Sequence, residues 1–387
     1  MNILYKIKPD SEIQKALDLC RVINDSGYEA LLVGGAVRDL IADQAVDDAD
    51  IGTNMPISKL TELFKISSNN GEKHGTVLIH FKNSVFEITQ YRTECGYSDG
   101  RRPDSISPAS SYLEDSRRRD FTINAMGLTS NGDVINYHGG IKDLQDGIIR
   151  TVGHSDDRFS EDYLRMLRAI RFATRYSHFS LHEETKQSII KYADKLSEIS
   201  RERVTAEIQK SYNYGTPSFS RFIKLCIELG ILKTVFCTNL PDIHYAKAAD
   251  TIAKLDESKF SQCLWILYEE ECIGDNMDDM RLDNTTLAEM KYYEKSKLAG
   301  TSDWWDLHLV IQNERFIELV DALAIKKQGF DLISRSLEYE LYSAVIKKII
   351  PKLNLLLKEY GIFGRGFGIA RRQMFNSIVE QIINPAK

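Results

Sequence analysis

Apolar positions between residues 10 and 26 recur every three or four places. Ile13, Ala16, Leu17, Cys20 and Ile23 therefore line one face of a helix that ends near Gly27. Ala30 to Val33 reads as a short apolar strand, and Pro56 opens a further helix on Ile57, Leu60, Leu63 and Phe64. Thr76–Phe81 and Val85–Gln90 flank Lys82-Asn83-Ser84 and predict a hairpin. Asn131-Gly132, between Gly127-Leu128-Thr129 and Val134-Ile135-Asn136, predicts a second one. Residues 93–113 between them are polar and rich in Gly, Ser and Pro, a loop of a length that is more often functional or mobile than idle.

From about residue 155 the pattern turns helical and stays so. Leu164, Leu167, Ile170 and Phe172 mark one helix, and Phe219–Leu229 and Leu341–Ile350 mark others, the last ended or kinked by Pro351. Gly215-Thr216-Pro217 is a break, and Gly361 starts a Gly-rich segment before a final helix. No internal repeat or low-complexity tract interrupts this order.

Chemistry concentrates where the first strand ends. Val33-Gly34-Gly35-Ala36-Val37-Arg38-Asp39 is followed by Asp48-Ala49-Asp50. In a strand, residues i and i+2 point to the same face, so Asp48 and Asp50 converge. Hard divalent cations such as Mg²⁺ want oxygen ligands and share them with a substrate phosphate. The glycines let backbone N–H groups approach an anion, and Arg38 would begin the next helix near a phosphate oxygen. Taken singly, a Gly-Gly pair is a turn and an Asp-x-Asp is loop chemistry. Together they suggest a site for a nucleoside triphosphate and its metal.

The chain has 387 residues, 43% hydrophobic and 27% charged, which is ordinary for a soluble protein of two or more domains. No apolar run approaches the ~20 residues that span a bilayer, and the first residues lack the pattern of a signal peptide. The six cysteines contain no Cys-x-x-Cys pair and read as reduced, mostly buried thiols of a cytoplasmic protein. The formal charge is −6, yet Arg101-Arg102, Arg117-Arg118-Arg119 and Arg165, Arg168, Arg171 and Arg175 crowd one region. Such a cluster is either a local surface for RNA and phosphates or a set of solvated helix faces.

Two further runs carry a resemblance. Arg117-Arg118-Arg119-Asp120-Phe121-Thr122-Ile123-Asn124-Ala125-Met126 and Glu161-Asp162-Tyr163-Leu164-Arg165-Met166-Leu167-Arg168-Ala169-Ile170-Arg171-Phe172 join the Gly34-Gly35 and Asp48-Ala49-Asp50 motifs. In that order they resemble the motif set of class II tRNA nucleotidyltransferases, the CCA-adding enzymes, relatives of bacterial poly(A) polymerases. The likeness is strong from about residue 28 to 210, with Ser200-Arg201-Glu202-Arg203-Val204 as a late motif, and weak beyond.

The resemblance implies that Asp48 and Asp50 are catalytic and hold two Mg²⁺ ions, which ~4 Å apart activate an attacking oxygen and steady a leaving one. It implies nucleotide contacts for Gly35, Arg38, Arg119, Arg168 and Arg171, while a plain helix reading makes at least one of the last two a phosphate or backbone anchor. It also makes Asp162 and Arg165 the readers of the incoming base. The chemistry agrees: Asp accepts from the amino group of cytosine or adenine and Arg donates to the ring nitrogen, whereas uracil and guanine oppose a carbonyl to the carboxylate. Read alone, Asp162 and Arg165 would be neighbours three apart on one helix face, equally consistent with an ordinary salt bridge. Glu87 is either a third carboxylate or a solvent-facing strand residue. Asp120 and Asn124 are candidates for ribose binding, with Phe121 and Ile123 in the core.

Tyr91-Arg92-Thr93-Glu94 to Arg101-Arg102-Pro103 matches the flexible loop of enzymes that add the terminal A, or else is a surface insertion. Lys73-His74-Gly75-Thr76-Val77 resembles the tRNA nucleotidyltransferases more than the poly(A) polymerases, with His74 a turn-stabilising residue. No His-Asp dipeptide occurs, so the phosphohydrolase activity of some bacterial relatives is not expected. Gly364-Arg365-Gly366-Phe367-Gly368 with Arg371-Arg372 is a hinge or an RNA-backbone contact.

The expected fold class is α+β. A nucleotidyltransferase head with a mixed sheet, resembling that of polymerase beta (1–150), precedes a helical neck for base recognition (151–215), a helical body (216–330) and a helical tail for tRNA (331–387). The expected function is template-independent addition of CCA to tRNA from CTP and ATP with Mg²⁺, away from membranes. An ATP-only enzyme is the alternative, and a noncatalytic RNA-binding protein a more distant one.

Overall fold

The computed structural model describes residues 1–46, 48–68, 75–97, 100, 102–238, 240–255, 259–268, 280–290 and 375. Helix α1 (Glu12–Asp25) is opened by Ser11, whose side chain accepts from the Gln14 amide, and it buries Ile13, Ala16, Leu17, Leu19, Cys20 and Ile23. Full burial of each large aliphatic chain on that face contributes about 2 kcal/mol. Strand β1 (Ala30–Val33) runs into helix α2 (Gly35–Ile41). Strand β2 (Ile51–Thr53), helix α3 (Ile57–Leu63, with Pro56 as its cap) and strands β3 (Ile66–Ser68), β4 (Thr76–Phe81) and β5 (Ser84–Gln90) follow.

The β4–β5 hairpin pairs Phe81 with Ser84, leaving Lys82 and Asn83 as a two-residue turn with φ of 46° and 63°. Two consecutive positive φ values match the right-handed twist of the flanking strands. Residues 93–113 are less of a loop than their composition suggested. Strands β6 (Arg92–Cys95) and β7 (Ser105–Pro108) pair antiparallel there, before helix α4 (Tyr112–Ser116). Strands β8 (Gly127–Leu128) and β9 (Val134–Ile135) form the second expected hairpin.

The main sheet has seven strands in the order β3-β4-β5-β2-β1-β8-β9. It is mixed: β2 and β5 run parallel, and the other neighbours antiparallel. Leu31, Val33, Tyr91, Ala109 and Tyr112 form a cluster with Ile135 packed against it. Gly52 is required there, because a Cβ would stand 2.7 Å from the Tyr91 ring.

Helix α5 (Gly140–Asp146), strand β10 (Ile148–Ile149), helices α6 (Ser155–Glu161) and α7 (Leu164–Arg175), strand β11 (Ser180–Leu181) and helices α8 (Glu183–Lys191) and α9 (Arg201–Tyr212) come next. The chain divides into two compact units, the first Met1–Ser211 with Leu225–Val235. The border expected at residue 150 thus falls inside one unit. Strands β10 and β11 pair in parallel across it, and the Val152 amide donates to the Asp120 carbonyl at 3.1 Å.

Helices α10 (Thr216–Glu228), α11 (Leu232–Phe236), α12 (Asp242–Ile252) and α13 (Phe260–Leu267) complete the described elements. The expected break before Thr216 is present, with Gly215 at φ 93°. In the second unit, Phe236, Tyr245 and Tyr268 pack together, and Tyr245 donates to Thr238 at 2.5 Å. His74, Arg101, residues 341–361 and the Gly364–Arg372 segment lie outside the described residues. Cys20, Cys226 and Cys263 are buried free thiols, Cys237 is half-buried and Cys95 exposed. Among the described residues no helix is long and apolar enough to cross a membrane.

Candidate active site

Asp48 and Asp50 precede β2 rather than lying within it, and both are open to solvent. Extended geometry still reaches Asp50, whose carbonyl accepts from the Val33 amide at 2.9 Å. Strand β5 lies parallel beside β2 with Ile51 opposite Ile88. One step back in that register places Asp50 beside Glu87, and neighbouring residues in register share a face. The electrostatics agree. Surrounding protein, then the Asp48 carboxylate, raise the Asp50 carboxyl above its ordinary value, while Arg119 pulls the other way. Glu87 is raised by its surroundings, then by Asp50 and Asp48. Glu87 thus lies on the sheet face that carries Asp50 and feels the charge of both aspartates.

The turn before α2 faces the same region. Gly34 has φ 75° and ψ −133°, a conformation in which other residues are strained. A Cβ at Gly34 would lie 3.1 Å from Arg119 Nη1. Arg119 therefore stands against the start of α2, and its charge reaches Asp50. Arg119 is aligned by Asp115, a residue the motif reading did not single out. Asp115 is buried and accepts from Arg118 Nε at 2.9 Å and Arg119 Nη2 at 3.2 Å. Its signal was the three- and four-residue spacing to those arginines.

Arg38 packs against the turn, its Nη2 3.5 Å from where a Cβ on Gly35 would stand. It is buried, forks onto Asp39 at 2.9 and 2.8 Å, donates to Asn124 at 2.6 Å and lies over the Phe172 ring. Asp39, Asn124 and an aromatic face thus satisfy the guanidinium together. Arg175 also reaches Asp39, at 3.0 Å, tying α7 to α2. Arg168 donates to Asp120, and Asp120 accepts from Asn124 at 3.1 Å, so a polar chain runs from Arg38 to Arg168. Phe121 and Ile123 are in the core as expected. Arg171, expected at the nucleotide, is instead buried on Glu207 at 2.6 Å and stacked on Phe172 at 4.2 Å.

Asp162 and Arg165 do not share a helix face. Helix α6 stops at Glu161, Asp162 is extended (φ −154°, ψ 104°), and α7 begins at Leu164. Asp162 accepts from the Leu164 amide at 3.1 Å and from Arg203 Nη2 at 2.7 Å. Arg165 pairs with Glu161 and donates to the carbonyls of Arg158 at 3.0 Å and Arg118 at 3.2 Å. An aspartate in front of a helix caps it, and that competes with joining it. Beside this pair lies a 160 Å³ cleft lined by Thr93, Glu94, Tyr97, Glu114, Arg117, Arg118, Arg158 and Glu161.

Among the described residues no three His, Cys, Asp or Glu side chains are gathered closely enough to hold an ion by themselves. Magnesium does not require that, since one or two carboxylates plus substrate phosphates suffice. Asp48 and Asp50 offer hard carboxylate oxygens at a place where negative charge already raises Asp50 and Glu87, a donor set that fits such an ion.

Residues 30–150 match the family model described as the poly A polymerase head domain, and residues 178–258 match one described as the probable RNA and SrmB-binding site of polymerase A. A CCA-adding enzyme of Bacillus subtilis is 43% identical over 196 residues, 51% of this chain and 49% of that protein. One from a Geobacillus species is 43% identical over 218 residues, 56% and 53% of the two chains. These alignments thus span about half the length of the curated relatives. The crystal structure of the Bacillus stearothermophilus CCA-adding enzyme in complex with CTP superposes with a TM-score of 0.71 at 26% identity, covering 98% of this chain and 94% of that one. The Thermotoga maritima CCA-adding enzyme complexed with tRNA shares the fold, with a TM-score of 0.61 at 20% identity, over 100% and 94% of the two chains. The chain thus carries a match to the poly A polymerase head domain followed by one to the RNA-binding segment of that polymerase.

Proposed function

We propose that this protein adds C, C and A to the 3′ end of tRNA from CTP and ATP, releasing pyrophosphate, in the cytoplasm. The observation that carries the reading is the carboxylate cluster of Asp48, Asp50 and Glu87 set against Gly34 and Arg119. Asp48 and Asp50 would hold Mg²⁺. When bound, the metal supplies Lewis-acid activation of the RNA 3′-hydroxyl and neutralises charge on the leaving phosphates. Arg119 and the Gly34-Gly35 turn would take the triphosphate, the missing Gly35 side chain letting the Arg38 guanidinium pack against the turn. Transfer of a nucleotidyl group then needs alignment and charge neutralisation more than covalent help from the protein.

Base choice would rest with Asp162 as acceptor and Arg165 as donor, with Arg168 at the nucleotide and Asp120 and Asn124 near the sugar. Arg38 and Arg171 act as internal supports. The helical part would hold the acceptor arm through phosphates and shape, because duplex RNA offers little readable sequence in its deep groove.

Primer extension tests the reading: tRNA ending at the discriminator base, with Mg²⁺ and CTP, ATP or both. CCA addition is expected. Incorporation with ATP alone and none with CTP would replace it by the ATP-only alternative, and no incorporation would remove it. Asp48→Ala should abolish transfer with the fold intact.

A further inference from the structure

We infer that Arg203 is a positioning residue for base selection that acts through Asp162, an inference that rests on the proposed reading of this site. Asp162 sits in the gap between α6 and α7, so helix geometry does not fix its side chain. Two bonds do: the Leu164 amide on Oδ1 at 3.1 Å and Arg203 Nη2 on Oδ2 at 2.7 Å. Each carboxylate oxygen offers two lone pairs, so one bond on each leaves acceptor capacity for an outside donor. Both side chains are about one-fifth exposed, 22% for Arg203 and 19% for Asp162, so a ligand can reach the unused lone pairs.

The placement of Arg203 is itself built. It lies on α9 one turn before Glu207, on the same helix face. Glu207 is locked to Arg171 of α7 in a pair whose side chains are only 2% and 6% exposed. Helix α9 is thus pinned to α7 at the position that brings Arg203 onto Asp162. Arg165 has its own supports on Glu161 and two carbonyls, so it does not brace Asp162. Rejection of a carbonyl where an amino group belongs depends on a carboxylate that cannot swing aside. Arg203 supplies that restraint.

The test measures kcat/KM for CTP and UTP on tRNA ending at the discriminator base, for wild type, Arg203→Ala, Arg203→Lys, Asp162→Ala and the double alanine variant. Arg203→Ala should lower the CTP/UTP ratio by about tenfold or more, as loss of one such restraint implies. Lysine should restore part of it, being a point charge without the planar fork. The double variant should match Asp162→Ala alone. A purely structural role would lower the melting temperature and slow both nucleotides equally. An unchanged ratio in Arg203→Ala, or additive effects in the double variant, overturns the inference. Should the alanine variant not fold, Arg203→Gln takes its place under the same criteria. A wild type that incorporates no nucleotide overturns the reading of the site and the inference with it. An active wild type with an indifferent Arg203 overturns the inference alone.

Discussion

Arg168 donates from both Nε and Nη2 to a single oxygen of Asp120, at 2.9 and 2.6 Å, in a nearly buried contact. Burial opposes the charge on Asp120, but Arg168, then Asn124, outweigh it and bring the carboxyl from its ordinary 3.8 to about 2. A shift of that size corresponds to about 2 kcal/mol of stability. Because the folded value lies below the unfolded one, this contribution is complete above pH ~4 and is lost as the pH falls through ~2. Asp120→Asn should therefore be less stable at pH 7, and its stability should change less than that of the wild type between pH 4 and 2. Urea unfolding at pH 7, 4 and 2.5 measures both. Equal acid dependence in the two proteins would show that the pair is not the source.

The Arg171–Glu207 pair makes a different kind of prediction, because both partners are buried. Removing one leaves the other charge in the interior with little compensation, at a cost of about 3–5 kcal/mol. Lys210, which also reaches Glu207 at 3.1 Å, softens the loss when Arg171 is the one removed. Replacing both by apolar residues of similar volume is often neutral. Arg171→Met should thus destabilise strongly, and Arg171→Met with Glu207→Leu should recover most of the loss in denaturant unfolding. The recovered protein should also keep its affinity for CTP. Weakened CTP binding there would return Arg171 to the nucleotide.

A third prediction concerns Gly140 at the start of α5. A Cβ there would stand 2.2 Å from the Thr122 carbonyl oxygen and 2.8 Å from its carbon. The obstacle is backbone and cannot rotate away. It belongs to the turn that carries Asn124, which holds Arg38. Gly140→Ala should lower stability by about 1–3 kcal/mol, the usual range for overpacking, and should depress transfer with it. Unaltered thermal unfolding would mean that the turn yields at no cost.

What could be read from the chain in advance was what neighbouring residues decide among themselves. Helix α1, strand β1 and both hairpins follow from apolar spacing and turn residues within a few positions. The acidic pair and glycine turn were legible for the same reason. Strands β6 and β7 were not, because Arg92–Cys95 and Ser105–Pro108 pair while keeping polar side chains outward, with no buried alternation to betray them. Asp162 was misplaced onto a helix because its neighbours all tolerate one, and the cap it forms competes with that helix. Arg38 and Arg171 were expected at the nucleotide from the family resemblance, which says nothing of what packs around them. Their burial depends on Asn124, Phe172 and Glu207, whose proximity only the folded chain creates. Arg203 belonged to a recognised motif, but its contact with Asp162 spans 41 positions and leaves no local trace.

The remaining prediction separates the two readings of Glu87. Strand β5 buries Phe86 and Ile88 on one side and leaves Glu87 on the other. That alternation alone would fit a residue facing water. The parallel register with β2 adds that this face is the one carrying Asp50, and Asp50 and Asp48 raise the Glu87 carboxyl after burial has done so. A third carboxylate beside two aspartates proposed to hold a metal would share the ion or tighten its environment, and in both cases its charge matters more than its shape. Glu87→Gln keeps the shape and removes the charge, so the fold should be intact and thermal stability unchanged or higher, since a repulsion is relieved. The transfer rate should fall about tenfold or more, and the Mg²⁺ concentration for half-maximal rate should rise, in the range known for outer partners of metal sites. A magnesium titration of the two proteins at fixed CTP decides it. Should the curves coincide, Glu87 is a strand residue facing water, and the work of the site rests on Asp48 and Asp50.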